Sequence, residues 1–221
     1  MIIAVDGPAG AGKGTISRAL AQQFSLKYID TGLMYRALAY KALLENVDLG
    51  HLDSLIFLVK TLTTDDLQLP ELRREEVGNA ASKIAVLSPV REQITLHTRR
   101  FSQEIQHPYK GVVLDGRDIG TVVCPNADIK IYVTASPYVR AERRLAEMVQ
   151  SGKRPEGNIL EQIIERDHRD QTRAASPLVP AVDATLLDTS ELSIQEACQR
   201  AFSIVTAFYD NTKELKRVNG F

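Results

Sequence analysis

Short apolar segments alternate along the chain with longer segments of helical periodicity. The first, Ile2 to Asp6, has no polar residue before its last position, which indicates a strand buried on both faces. Further short strands are predicted at residues 27–30, 112–115, 128–134 and 185–188. Because helical segments separate nearly all of these strands, the pattern predicts an α/β fold with βαβ units and a mostly parallel sheet covered by helices.

The segments between the strands carry the spacing of amphipathic helices. Apolar residues recur at helical intervals from Ile16 to Phe24, and good helix formers fill Leu33 to Glu45, where Thr31 is placed to act as the N-cap. Further helical segments are predicted at residues 75–105, 136–150, 159–174 and 193–215.

Two segments interrupt this alternation. Residues 48–72 are predicted to hold a short helix and one strand, Asp66 to Leu69, ended by Pro70, and to form an insertion beside the sheet. Residues 151–158 are polar and rich in Gly and Pro, which predicts a mobile loop between two helices.

Composition narrows the class of protein. The 221 residues are 44% apolar and 25% charged, which is enough apolar material for a complete core. A net charge of −1 gives no global attraction to nucleic acid or to an acidic membrane, so we expect neither as a partner. Cys124 and Cys198 have no metal-binding or disulfide spacing, and no signal peptide or membrane span is recognisable, so we expect a cytoplasmic protein.

A glycine-rich segment lies directly between the first strand and the first helix. It consists of Gly7, Pro8, Ala9, Gly10, Ala11, Gly12, Lys13, Gly14 and Thr15. Such a loop turns successive backbone N–H groups toward phosphate oxygens, and its lysine adds a full positive charge near the β- and γ-phosphates. Gly14 stands where the general phosphate-binding loop has the Mg²⁺-binding Ser or Thr. We therefore expect Mg²⁺ to be held mainly by phosphates and water, with Thr15 as a candidate ligand.

Arginines supply the other candidate cations. Arg36 lies early in the second predicted helix, where the helix dipole favours anions, and Arg117 follows a buried strand at the edge where open α/β sheets bind ligands. Arg166, Asp170 and Arg173 are spaced to share one helix face. On spacing alone, solvated surface charge and an ion-pair stripe remain alternatives for these residues.

Taken together, the motifs of the chain resemble those of the bacterial cytidylate kinases, a family of nucleoside monophosphate kinases. The resemblance covers residue 2 to about residue 208. It is carried, in order, by the glycine loop, Asp-Thr-Gly-x-x-Tyr-Arg at 30–36, Asn79–Ser82, Pro89–Arg91, Asp115–Thr121, Arg166–Arg173 and Ser176–Ala181.

The resemblance implies a P-loop NTPase-type sheet of five parallel strands in the order 2-3-1-4-5, with ATP as phosphoryl donor, Mg²⁺, and CMP or dCMP as acceptor. It implies that Lys13, Arg117 and Arg173 are catalytic. By position, Ser82, Arg91 and Asp118 match the residues that bind cytosine, Arg166 and Asp170 match sugar-binding residues, and Arg36, Arg117 and Arg173 match the phosphate clamp. A carboxylate at Asp118 suits the exocyclic amine of cytosine and disfavours uracil, which has an acceptor there.

The resemblance also implies a single P-loop kinase core over residues 1–221, with an acceptor-binding insertion at 48–105 and, at 149–174, a lid followed by an arginine-bearing helix. The family carries a small three-stranded sheet in the insertion, and residues 48–72 are too short for all of it, so we expect a shortened version. We expect a monomer.

Two alternatives remain at this stage. Another small P-loop kinase, acting on a different nucleotide or a small metabolite, would share the loop but would not need Ser82, Arg91 and Asp118 together. A nucleotide-dependent switch is the more distant alternative, and the chain lacks the Asn-Lys-x-Asp tetrapeptide by which guanine-specific switches usually bind the base.

Overall fold

The computed structural model describes residues 1–63, 65–103, 105, 107–152, 154 and 157–218, with side chains to residue 210. Its five strands are β1 (Ile2–Asp6), β2 (Lys27–Asp30), β3 (Val112–Gly116), β4 (Ile129–Thr134) and β5 (Thr185–Asp188). They form one sheet in the order β2-β3-β1-β4-β5. β1 pairs in parallel with β3 and β4, and β4 pairs in parallel with β5. The predicted strands and strand order are therefore confirmed.

Eight α-helices are described. They are α1 (Lys13–Phe24), α2 (Thr31–Leu44), α3 (Leu52–Lys60), α4 (Glu75–Ile84), α5 (Ser88–Gln103), α6 (Pro137–Gln150), α7 (Ile159–Thr172) and α8 (Ile194–Val218). The segment predicted as helical over 75–105 is thus two helices. Within the described part of the chain, no helix is both long enough and apolar enough to span a bilayer.

The chain divides into two compact units. The first contains Met1–Tyr28, Ile105–Thr172 and Pro177–Phe221, and the second contains Ile29–Glu104 and Arg173–Ser176. In the first unit β1 is buried, as its apolar sequence predicts, and Ile3 and Val5 join a core with Leu20 of α1 and Val205 of α8. This core fixes the strand whose carboxyl end leads into the glycine loop.

The predicted strand at Asp66 to Leu69 is wrong. Asp66–Gln68 forms a 3₁₀ turn, followed by a second one at Pro70–Arg73. The carboxylate of Asp66 accepts hydrogen bonds from the backbone N–H of Thr63 at 2.7 Å and from its hydroxyl at 2.9 Å, and it pairs with Lys41 Nζ at 2.9 Å. These local bonds give the backbone an alternative to extended structure, which is how short polar side chains favour turns.

The start of α2 also differs from the prediction. Thr31 is the first residue of the helix, and Asp30 occupies the N-cap position without a side-chain capping bond. Because β2 ends at Asp30 and the helix begins at the next residue, no linking residue separates the two elements. The last residue of the strand therefore takes the place that the sequence assigned to Thr31.

Candidate active site

The glycine-rich loop connects the carboxyl end of β1 to the N-terminus of α1, as predicted. Gly7, Gly10 and Gly12 have φ angles of 146°, 76° and 88°. At Gly7 a Cβ atom would lie 1.9 Å from the carbonyl oxygen of Val133 on β4, so only glycine fits between the loop and the sheet.

Lys13 is held inside this loop. Its ammonium group is buried and donates a hydrogen bond to the carbonyl oxygen of Pro8 at 2.9 Å. The first turn of α1 contains no acidic residue, and Thr15 is exposed. A lysine and an acid-free helix N-terminus on one glycine loop have the charge and the donors that a polyphosphate requires.

Asp115, near the end of β3, places a buried carboxylate beside the loop. Its Oδ2 accepts a hydrogen bond from the Tyr28 hydroxyl at 3.3 Å and would lie 3.4 Å from a Cβ atom at Gly14. Among the described residues no group of three or more His, Cys, Asp or Glu could hold a metal ion alone. The oxygen groups of Asp115 and Thr15 nevertheless suit Mg²⁺ that keeps most of its ligands from phosphate and water.

Arg117 and Asp170, assigned by resemblance to the phosphate clamp and the sugar, lie in contact. Arg117 Nε donates to Asp170 Oδ2 at 3.2 Å, and Nη1 donates to the carbonyl oxygen of Gly116 at 3.1 Å. Asp118 is buried at the start of a π-helical turn, Ile119–Val123, that the sequence did not predict. Arg166, half-buried, lies one turn before Asp170 on α7.

The prediction that Arg173 shares the helix face of Arg166 and Asp170 is wrong. α7 ends at Thr172, and Ser176 adopts a left-handed conformation with φ of 51°. Arg173 belongs to the second unit, where its Nε donates to the Ser176 carbonyl oxygen at 2.7 Å. The spacing of Arg166, Asp170 and Arg173 in the sequence is helical, but the helix ends at Thr172, before the last of the three.

Asp6 is a residue that the sequence analysis did not single out. It is the last residue of β1 and 5% exposed. Its two carboxylate oxygens accept hydrogen bonds from the backbone N–H groups of Ile119 at 2.8 Å and Gly120 at 2.7 Å. Burial raises the pKa of Asp6 from 3.8 to about 6, although these two hydrogen bonds act in the opposite direction. A charged residue closing an apolar strand was the signal available in the sequence.

Arg140 of α6 was also missed. It is 3% exposed and makes a two-pronged ion pair with Asp167 of α7, at 3.0 and 2.6 Å. Its remaining donors reach the carbonyl oxygen of Ala135 at 2.8 Å and that of Ala9, in the glycine loop, at 3.2 Å. Arg140 thus connects the glycine loop to α6 and α7, the two helices that flank residues 151–158. It lies among other arginines on α6, so no sequence pattern distinguishes it.

The second unit contains Arg36, Ser82 and Arg91. Arg36 Nη1 donates to the carbonyl oxygen of Leu72 at 2.6 Å, and its guanidinium group packs so closely on α4 that a Cβ atom at Gly78 would lie 2.9 Å from Nη2. The contact places the guanidinium group of Arg36, on α2, against α4, the helix that carries Ser82.

Arg91 is buried on α5. Its Nη1 donates to the carbonyl oxygen of Ala85 at 3.0 Å, and its guanidinium carbon lies 5.5 Å from the centre of the Tyr35 ring on α2. Tyr35 belongs to the motif at 30–36, but no role was assigned to it from the sequence. The cation–π contact shows that it helps to orient the Arg91 side chain.

The predicted lid at residues 149–174 is only partly described. α6 reaches Gln150 and α7 begins at Ile159, while residues 153, 155 and 156 lie outside the described residues. The lid therefore stays a prediction.

Comparison with known proteins identifies the family. Residues 3–207 match the family model described as cytidylate kinase. The chain is 50% identical over 211 residues to a cytidylate kinase from Rhizobium meliloti, covering 93% of this chain and 96% of that protein. It is 46% identical over 208 residues to one from Bradyrhizobium, covering 94% and 96%.

Among solved structures, the chain is similar in fold to a gluconokinase from Sinorhizobium meliloti. The TM-score is 0.51 at 15% identity, with 96% of this chain and 95% of that chain covered. At this identity the likeness concerns the fold alone, whereas the curated relatives are 46% and 50% identical in sequence. The chain belongs to the cytidylate kinase family, whose members are nucleoside monophosphate kinases and therefore phosphotransferases.

Proposed function

We propose that this protein transfers the γ-phosphoryl group of ATP to CMP or dCMP, giving ADP and CDP or dCDP. The observation that carries the proposal is the match to the cytidylate kinase family over residues 3–207, which includes the glycine loop and the predicted acceptor residues. The geometry of the loop supports the donor half of the reaction, and the motifs of the family support the acceptor half.

ATP binds at residues 7–15. The backbone N–H groups of the loop and of the α1 N-terminus hold the phosphates, and Lys13 neutralises charge on the β- and γ-phosphates. Thr15 and Asp115 would hold Mg²⁺, directly or through water. When bound, the ion would neutralise part of the charge that develops on the phosphates during transfer.

Asp118, Ser82 and Arg91 recognise the cytosine. The carboxylate of Asp118 accepts from the exocyclic amine, while Ser82 and Arg91 donate to the ring acceptors. Arg166 and Asp170 bind the sugar, and Arg36, Arg117 and Arg173 bind the acceptor phosphate. Arginine suits this task because its planar donors match phosphate oxygens in pairs.

The reaction needs no general base. An oxygen of the acceptor phosphate attacks the γ-phosphorus in line, the bond from phosphorus to the β–γ bridging oxygen breaks, and ADP leaves with the electron pair. A phosphate monoester has its second pKa at about 6, so the attacking oxygen is already ionised at neutral pH. Lys13, Arg117 and Arg173 reduce the repulsion between the two nucleotides and stabilise the equatorial oxygens of the group in transit.

Residues 151–158 act as the lid, whose closure excludes water that would otherwise hydrolyse ATP.

The protein works as a cytoplasmic monomer on small nucleotides, with residues 1–221 as the P-loop kinase core. Residues 48–105 are the shortened acceptor-binding insertion, and 149–174 the lid with its arginine-bearing helix. The short 48–72 segment, with one helix and two 3₁₀ turns, is consistent with that shortening.

The test is ADP release measured by a coupled assay with ATP, Mg²⁺ and each of CMP, dCMP, UMP, AMP and GMP. We expect the highest kcat/KM with CMP or dCMP and slow ATP hydrolysis without an acceptor. Highest turnover on AMP or GMP would contradict the cytosine pocket and favour another P-loop kinase. Hydrolysis that no acceptor accelerates would favour the switch.

A further inference from the structure

The Asp6 carboxylate joins the two nucleotide-handling segments of the first unit. It precedes Gly7, where the phosphate loop begins, and it accepts the N–H groups of Ile119 and Gly120, directly after Asp118. Asp6 therefore adjoins the glycine loop through its backbone and contacts the turn after Asp118 through its side chain.

The contact between the Asp6 carboxylate and the turn is close enough to limit which residues can stand at positions 6 and 120. A Cβ atom at Gly120 would lie 3.3 Å from Asp6 Oδ2 and 3.1 Å from Cδ of the buried Lys130, so a side chain at residue 120 would crowd the carboxylate and push one of these neighbours away. Of the side chains of this size, only an ionised carboxylate offers two acceptor oxygens and no donor. Asn would present an N–H₂ group to one of the two backbone donors.

The peptide group that follows Asp118 is held at both of its polar atoms. The carbonyl oxygen of Asp118 accepts from the N–H groups of Val122 at 2.9 Å and Val123 at 3.0 Å. The N–H group of Ile119, on the same peptide group, donates to Asp6, as does the N–H group of Gly120, so the backbone on the C-terminal side of Asp118 is restrained. A shift at Asp6 would therefore move the Asp118 carboxylate.

We propose that Asp6 is a positioning residue that fixes the Asp118 carboxylate relative to the phosphate loop and thereby sets the selectivity for cytosine over uracil. This inference rests on the proposed function, in which Asp118 accepts from the cytosine amine. Selectivity depends on position because a carboxylate that fits the amine of CMP meets an acceptor oxygen in UMP. Displacement weakens the first interaction and relieves the second.

The first experiment compares wild type with Asp6→Asn, which retains the shape of the side chain. We expect the ratio of kcat/KM for CMP to that for UMP to fall about tenfold or more, chiefly through a raised KM for CMP, with a smaller change in KM for ATP. The matched control is Asp128→Asn. Asp128 accepts the N–H of Ile2 at 2.7 Å, at the opposite end of β1, so this variant makes the same carboxylate-to-amide change at an exposed backbone contact and should keep the wild-type ratio.

The second experiment repeats Asp6→Asn in an Asp118→Ala background. If Asp6 acts through Asp118, its substitution should no longer change the CMP-to-UMP ratio there, so the two effects should be non-additive. Should Asp6→Asn fail to fold, Gly120→Ala places a methyl group 3.3 Å from Asp6 Oδ2, crowds the same contact, and should lower the ratio in the same direction.

The outcomes separate the two proposals. Wild type without preference for CMP over UMP would overturn the cytosine-selective role that the proposed function gives Asp118, before any variant is made. Wild type with that preference, together with a folded Asp6→Asn that retains it, would overturn the inference alone. An unchanged effect of Asp6→Asn in the Asp118→Ala background would do the same, because it would show that Asp6 acts on another group.

Discussion

The Asp6 carboxyl group ionises in surroundings that oppose its charge. Burial is the largest cause of its raised pKa, the neighbouring Asp118 adds to it, and the hydrogen bonds from the turn together with Lys13 act against it. The folded protein therefore binds a proton at Asp6 more tightly than the unfolded chain does. The stability that follows is present below about pH 4 and is lost as the pH rises through about 6.

This sign can be measured against Asp6→Asn, which does not titrate. Relative to the variant, the free energy of unfolding of the wild type should decrease by up to roughly 3 kcal/mol from about pH 4 to 7. Urea denaturation of both proteins from about pH 4 to pH 7 gives the comparison. Parallel stability curves would contradict the raised pKa of Asp6.

Between elements, the ion pair of Arg140 and Asp167 joins α6 to α7 and, through Ala9, to the phosphate loop. Asp167→Asn should lower the free energy of unfolding by about 3 kcal/mol, because the buried guanidinium group of Arg140 loses its counter-charge. Urea unfolding followed by circular dichroism measures the change.

The same helix supplies the control for that measurement. Glu165 pairs with Arg169 at 3.3 Å, but the side chains are 69% and 44% exposed. Glu165→Gln should therefore change stability by less than about 1 kcal/mol. Equal losses in the two variants would mean that burial does not govern the strength of the Arg140 pair.

Elements were predictable where the signal is local and repeats over several residues. The apolar strand at Ile2–Asp6 and the glycine loop after it need only consecutive residues to be recognised. The Asp66–Gln68 turn and the end of α7 depend instead on particular hydrogen bonds and on the left-handed Ser176, which no periodicity encodes.

In the candidate site, too, the residues within motifs were predictable and their distant supports were not. Motif matching proposed roles for Asp118 and Arg91, but the supports of these residues come from distant parts of the chain. Asp6 lies 113 positions from Ile119, and Tyr35 reaches Arg91 from another helix. Neither pairing can be derived from one sequence without its fold, because the sequence does not say which distant residues the fold will bring into contact.

For the whole molecule, a net charge of −1 gives no general attraction for anions, so the proposed function assigns nucleotide binding to local groups and chiefly to Lys13. A ligand specific for the native state stabilises it by about 2.7 kcal/mol at a concentration one hundred times its Kd, which corresponds to a rise in Tm of roughly 5–10 °C for a chain of this length. We expect MgATP and CMP each to produce such a rise in the wild type.

Lys13→Met should abolish the rise in Tm with MgATP and retain the rise with CMP, because only the former depends on the phosphate loop. Differential scanning fluorimetry with each nucleotide alone measures both. A Lys13→Met protein that keeps the full shift with MgATP would refute the role assigned to the lysine.

The bond from Lys13 to the Pro8 carbonyl has a further consequence for catalysis. A free lysine side chain loses up to about 2 kcal/mol of conformational entropy when it is immobilised. Here folding has already imposed much of that restriction, because the ammonium group is buried and bound to a backbone carbonyl. In the proposed function, a triphosphate that binds Lys13 therefore replaces acceptors that already order the side chain and bears less of the entropy cost of ordering a flexible chain.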